Sequence, residues 1–193
     1  MVIGKQHKFV FIMVPKTASQ SMRFWLIDNY GGDMPRGQSH ERNIPQRCKD
    51  WFTFCCVRNP YDRAISLWFS AVYEEPKDAY GFRRGCGSSE LTPFLRWLAQ
   101  SPGSTRRHVL AQPQHIFLRP VATDLVLRYE NLQTEINQLP FHDASSAPLP
   151  SRNVRKTRRP PWESYYDPER TELVQAWAKE DFTNYGYPLE ITQ

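Results

Sequence analysis

Residues 9–26 read FVFIMVPKTASQSMRFWL, and the order of residue types in them decides the fold. The apolar run, short and bounded by a proline, predicts a buried strand over residues 8–14. Beyond Pro15, Met22, Trp25 and Leu26 fall on one face at helical spacing and predict a helix over 19–29, with Ser19 or Gln20 near its start. Between strand and helix stands a single lysine, Lys16, among small hydroxyl residues.

The same alternation recurs along the chain. WFTFCCV (51–57) predicts a second buried strand, and YDRAISLWFSAVY (61–73) a second helix with Ile65, Trp68 and Phe69 on one face. TPFLRWLAQ (92–100) reads as a helix with Pro93 in its first turn, where a missing N–H costs little. DLVLRYE (124–130) predicts a third strand and NLQTEINQL (131–139) a short helix. The last helix begins at an Asp167 cap followed by Pro168, and ends before Gly186. Residues 31–46, 74–90 and 145–161 read as loop. Strand, loop and helix follow one another without internal repeat, which predicts an α/β domain with a largely parallel sheet flanked by helices. At 193 residues the chain fits one domain, residues 1–193, able to bury a sizeable core.

Composition excludes several classes. A hydrophobic content of 40% with 13% aromatics argues against disorder despite 16 prolines. No apolar stretch approaches the ~20 residues needed to span a bilayer, and Pro15-Lys16 cuts the first apolar run too short for a secretory signal. The chain therefore reads as soluble and cytoplasmic. None of the four cysteines, Cys48, Cys55, Cys56 and Cys86, forms a CxxC pair, which speaks against zinc and against a disulfide framework. Cys55 and Cys56 read as small hydrophobes. The net charge of +5 suits an anionic ligand without choosing among a nucleotide, a nucleic acid and an acidic polysaccharide.

Ligands of open α/β sheets bind beyond the carboxyl ends of the strands, and both strand-to-helix loops here carry suitable chemistry. In PKTASQS the backbone N–H groups and the helix dipole face any anion, Lys16 adds a point charge, and Thr17, Ser19 and Ser21 add hydroxyls. A capped helix with an exposed lysine is the plainer reading of that loop alone. The glycines of GxxxxGK[ST] are missing, and no acid ends a later strand to hold magnesium, which weakens an ATPase or kinase reading. In VRNPYDRAIS (57–66), Arg58 ends the strand with a planar fork of donors and Ser66 follows on the helix. Asp62 and Arg63 read as a first-turn acid and a surface base.

VPKTASQS (14–21) resembles the 5'-phosphosulfate-binding loop of sulfotransferases, and CVRNPYDRAIS (56–66) their 3'-phosphate-binding strand, loop and helix. The form is that of the carbohydrate (Golgi-type) sulfotransferases and their bacterial relatives. The likeness continues through LRYENL (127–132), SRNVRKT (151–157) and DFTNYGYP (181–188), in the family's order. It implies a P-loop-like three-layer fold, a 3'-phosphoadenosine 5'-phosphosulfate (PAPS) donor, the product 3'-phosphoadenosine 5'-phosphate, no metal, and transfer to a hydroxyl, with a small molecule or saccharide as acceptor. It also implies roles. Lys16 acts on the leaving phosphate; Thr17, Ala18, Ser19, Gln20 and Ser21 hold the 5'-phosphate; Arg58 and Ser66 hold the 3'-phosphate. Arg155, Lys156 and Thr157, in a basic loop that closes over the nucleotide in related enzymes, are further cofactor contacts. The family has longer members with elaborate acceptor clefts, so the acceptor-choosing elements are expected to be reduced.

The acceptor needs a base. His40 sits in the polar loop between the two motifs, where the resemblance places one, and its ordinary pKa near 6.5 suits the task. Glu41 is its neighbouring rival, and a solvated loop histidine is the alternative reading. His7 and His142 read as incidental, and Glu130 as structural, pairing with nearby arginines. Two other classes compete with the transferase. A P-loop-like nucleotide kinase would need magnesium. A nucleic-acid-binding protein built on the five bases of residues 152–159 would need exposed aromatics interleaved on the same face, and only Trp162, Tyr165 and Tyr166 follow the run.

Overall fold

The computed structural model describes residues 1–35, 42–74, 88–100, 111–119, 121–150 and 159–191. In chain order its elements are β1 (Val2–Gly4), β2 (Phe9–Ile12), α1 (Ser19–Tyr30), β3 (Gly32–Asp33), β4 (Phe52–Val57), α2 (Pro60–Phe69), α3 (Leu91–Ala99), α4 (Gln114–Leu118), β5 (Leu125–Arg128), α5 (Leu132–Glu135) and α6 (Pro168–Tyr185). A π-helical turn, Ser70–Glu74, continues α2, where the sequence reading has one α-helix to residue 73. The chain divides into two compact units: Met1–Arg58 with Phe117–Lys156, and Asn59–Ile116 with Thr157–Gln193.

The first unit holds the whole sheet, in the order β3-β1-β2-β4-β5. β2 pairs in parallel with β4, and β4 with β5, as the strand–loop–helix reading predicts. The sheet is nevertheless mixed, not largely parallel. β1 pairs antiparallel with β2, Val2 opposite Phe11, and β3 pairs antiparallel with β1. A two-residue strand inside the expected 31–46 loop and a three-residue one at the start of the chain are too short to leave a periodic signal.

Alternation along the strands sends Phe9, Phe11, Met13, Phe54 and Cys56 to one face, where Met22, Trp25, Leu26 and Tyr30 of α1 and Leu132, Ile136 and Leu139 join them in one core. Phe141 stacks on Phe9 with centroids 4.6 Å apart. Residues of the opposite face, Ile3, Val10, Ile12, Cys55 and Val57, are buried as well. Burial on both faces explains why β2 and β4 read as unbroken apolar runs. At the C-terminal end of α1, the Tyr30 hydroxyl lies 3.0 Å from His142 Nδ1 and 2.8 Å from Ser146 Oγ. His7 stands edge-on to the Tyr30 ring, at 5.7 Å. Together with the Trp25 Nε1 bond to the Ala147 carbonyl (2.7 Å), these contacts tie the 139–149 segment to the helix.

The second unit is helical. Asn59 caps α2 by accepting the Tyr61 N–H (2.9 Å), with Pro60 at the first helical position. Asp167 caps α6 in the same way, and Gly186 ends it at φ 62. Arg63 is not the surface base that its sequence neighbours suggest. It is fully buried, donates to the Gln112 carbonyl (2.9 Å) and lies over the Trp177 ring at 5.3 Å. Asp62 pairs with Arg159. No helix among the described residues is long and apolar enough to cross a membrane.

Candidate anion site at the strand ends

The turn from β2 into α1 is made by two residues in left-handed conformation, Lys16 at φ 66 and Ala18 at φ 59. Neither is glycine, so each costs roughly 1–2 kcal/mol of backbone strain, which the rest of the fold must hold in place. Part of the hold is visible. Thr17, completely buried between them, donates its hydroxyl to the Val14 carbonyl (3.0 Å), and the Val14 N–H bonds the Ile12 carbonyl (3.1 Å). Alternating left-handed and ordinary residues direct successive backbone N–H groups toward one concave side, an arrangement that favours anions.

The helix that follows adds to this. Ala18 stands at the N-cap of α1, where it offers no side-chain acceptor, and the first turn carries no acid. The positive end of the helix dipole is therefore neither capped by a side chain nor neutralised by a carboxylate. Ser19 and Ser21 are buried at this end. The Gln20 side chain accepts from Arg23 Nη1 (3.3 Å).

Arg58 comes to this loop from the end of β4. The parallel register, Ile12 beside Cys55 and Val57 beside Arg128, puts the ends of β2, β4 and β5 at one edge of the sheet. There Arg58 Nη1 donates to the backbone carbonyl of Lys16 (3.2 Å). The guanidinium carbon sits 4.0 Å from the centroid of the Tyr129 ring, directly after β5, and Arg58 is only 7% exposed. A cation held this far from water at strand ends is a strong anchor for an anion.

Of the residues singled out in the sequence, the structure brings Lys16, Thr17, Ala18, Ser19, Gln20 and Ser21 into one junction and adds Arg58 to it. Ser66 is buried on α2, in the second unit. His40, Glu41, Arg155, Lys156 and Thr157 lie outside the described residues. Glu130 is exposed, and Glu135 accepts the Arg128 N–H at the end of β5. Tyr129 is the residue that the sequence reading passes over; its signal is an aromatic directly after the third strand, in LRYENL.

Burial also defines what is chemically silent. The Cys55 thiol is pushed up to about 12 by burial, and that of Cys56 is raised well above its ordinary value, chiefly by burial and then by Cys55. Both are neutral at any physiological pH and serve as core. Among the described residues, no group of three or more His, Cys, Asp or Glu side chains is gathered as a metal site would require.

Neither a curated protein nor a solved structure matches the chain. A family model does, and it covers both units. Described as the sulfotransferase family, it matches residues 1–188, and the chain therefore belongs to that family.

Proposed function

We propose that the protein transfers the sulfuryl group of PAPS to a hydroxyl, with a saccharide as the favoured acceptor class. The observation that carries this reading is the junction itself. A left-handed loop at an uncapped helix N-terminus is joined to a buried arginine, in a chain of the sulfotransferase family. A donor set of N–H groups, hydroxyls, one ammonium and one guanidinium fits a ligand with separated phosphate and phosphosulfate groups.

In the reaction the bond from sulfur to the bridging phosphate oxygen breaks as the acceptor oxygen bonds to sulfur. The protein's share is alignment and charge stabilisation. Main-chain N–H groups of residues 17–21 hold the 5'-phosphate. Lys16 answers the negative charge that grows on the bridging oxygen. Arg58 holds the 3'-phosphate, with Ser66, Arg155, Lys156 and Thr157 as further contacts to the nucleotide. We assign the proton of the acceptor hydroxyl to His40, with Glu41 as the competing base.

Nucleotide titration of the full chain tests the reading. 3'-Phosphoadenosine 5'-phosphate should bind without magnesium and more tightly than AMP, and Arg58→Ala should weaken it by about ten- to a hundredfold, the worth of one charge-assisted contact. Preference for ATP with magnesium, or for single-stranded DNA, would overturn it.

A further inference from the structure

We propose that Tyr129 is a positioning residue that gives the site its preference for a nucleotide bearing a 3'-phosphate, acting through Arg58. The inference rests on the reading that Arg58 meets that phosphate. Arginine is a long side chain, and leaving it to wander would cost ordering entropy each time a ligand bound. Two contacts on different groups restrict it here. The Tyr129 ring, 4.0 Å from the guanidinium carbon, fixes the plane of the fork. The Lys16 carbonyl, 3.2 Å from Nη1, fixes its rotation within that plane. Plane and rotation together decide where the donors of the fork point.

The placement follows from the sheet. Val57 and Arg128 are register partners on adjacent parallel strands, so the residues that follow them, Arg58 and Tyr129, leave the sheet side by side. A lysine at position 58 could not exploit the ring in the same way, because its compact ammonium has no plane to align. Tyr129 is half-buried and Arg58 buried, so their cation–π contact is partly withdrawn from water, which strengthens it.

The experiment compares the affinities of 3'-phosphoadenosine 5'-phosphate and AMP by calorimetry in the full-length protein. Four proteins are needed: wild type, Tyr129→Phe, Tyr129→pentafluorophenylalanine, and the last combined with Arg58→Ala. Phenylalanine keeps the electron-rich face, whereas the fluorinated ring keeps the size and reverses the charge distribution. We expect Tyr129→Phe to discriminate between the nucleotides as wild type does. The fluorinated ring should reduce that discrimination about five- to tenfold, leave AMP affinity unchanged, and have no further effect once Arg58 is gone. Equal discrimination with either ring overturns the proposal while leaving Arg58 as the phosphate anchor. So does a loss that persists in the Arg58→Ala background, which would mean that the ring acts by packing. A wild type that does not discriminate overturns the reading of Arg58 itself. Unfolding temperatures of the two isosteric variants separate these outcomes from a folding defect.

Discussion

Lys16 carries two loads, one in its side chain and one in its backbone, and substitutions can separate them. Alanine at φ 66 pays the same conformational cost, so Lys16→Ala removes the ammonium and leaves the strain. If the ammonium acts on the leaving phosphate, turnover should fall about 10²–10³-fold with a much smaller change in nucleotide affinity. Steady-state kinetics paired with direct binding checks this. A raised Michaelis constant at normal turnover would make Lys16 a binding residue only. The buried thiols give a second prediction at this scale. Cys55 in the folded protein ionises near 12 and, once unfolded, near its ordinary 9.0. Between those values the unfolded state binds fewer protons, so stability should decline as pH rises above about 9, with Cys56 acting in the same direction. Denaturant midpoints at pH 8 and pH 10 measure it. At pH 8 a thiol alkylating agent should leave the peptide carrying both cysteines unmodified until denaturant is added.

Elements differ in how far the sequence announced them. β2, β4, α1 and α6 were legible because a run or a period of adequate length carries each, and α6 because its caps, Asp167 and Gly186, are of the expected types. α4, β1 and β3 were not, since two to five residues cannot show a period, and α4 and β3 are also held by partners far along the chain. The candidate site was legible in its loop residues and in Arg58. The Tyr129 contact and the burial of Arg63 were not, because each depends on a partner more than a helix away in sequence. α4 makes the point quantitatively. Asp181 on α6, fully buried, accepts the Gln114 N–H and the His115 N–H, both at 2.8 Å, and lies 2.8 Å from His115 Nδ1. A five-residue helix is far below the length that sustains itself in water, and this carboxylate holds its first turn by accepting two of its free amides. Asp181→Ala would bury two amide donors without an acceptor and should cost about 3 kcal/mol, measurable by urea unfolding. Asp181→Asn should be nearly as damaging, because its amide nitrogen would face one of those donors.

For the molecule as a whole, the family match covers a sheet-bearing unit and a helical unit in one chain, with the candidate anion site of residues 16–21 and Arg58 in the first. The mixed sheet there has a consequence for the order in which the protein assembles. β1 and β2 form a local hairpin, Val2 against Phe11, which needs only a short loop to close. The other neighbour of β2, β4, comes from much further along, Val10 pairing with Thr53, and β5 comes from further still to pair with β4, Cys55 with Val126. Closing those long loops is slower, so the hairpin should gain amide protection before the parallel half of the sheet. Arg58 arrives only with β4, and Tyr129 only with β5. During refolding, pulsed hydrogen exchange should therefore register Phe9 and Phe11, whose register partners on β1 are Gly4 and Val2, as partly protected while fluorescent nucleotide is still unbound, and binding should appear in the same kinetic phase as protection of β5. Ligand capture would then serve as a clock for the last strand to join the sheet.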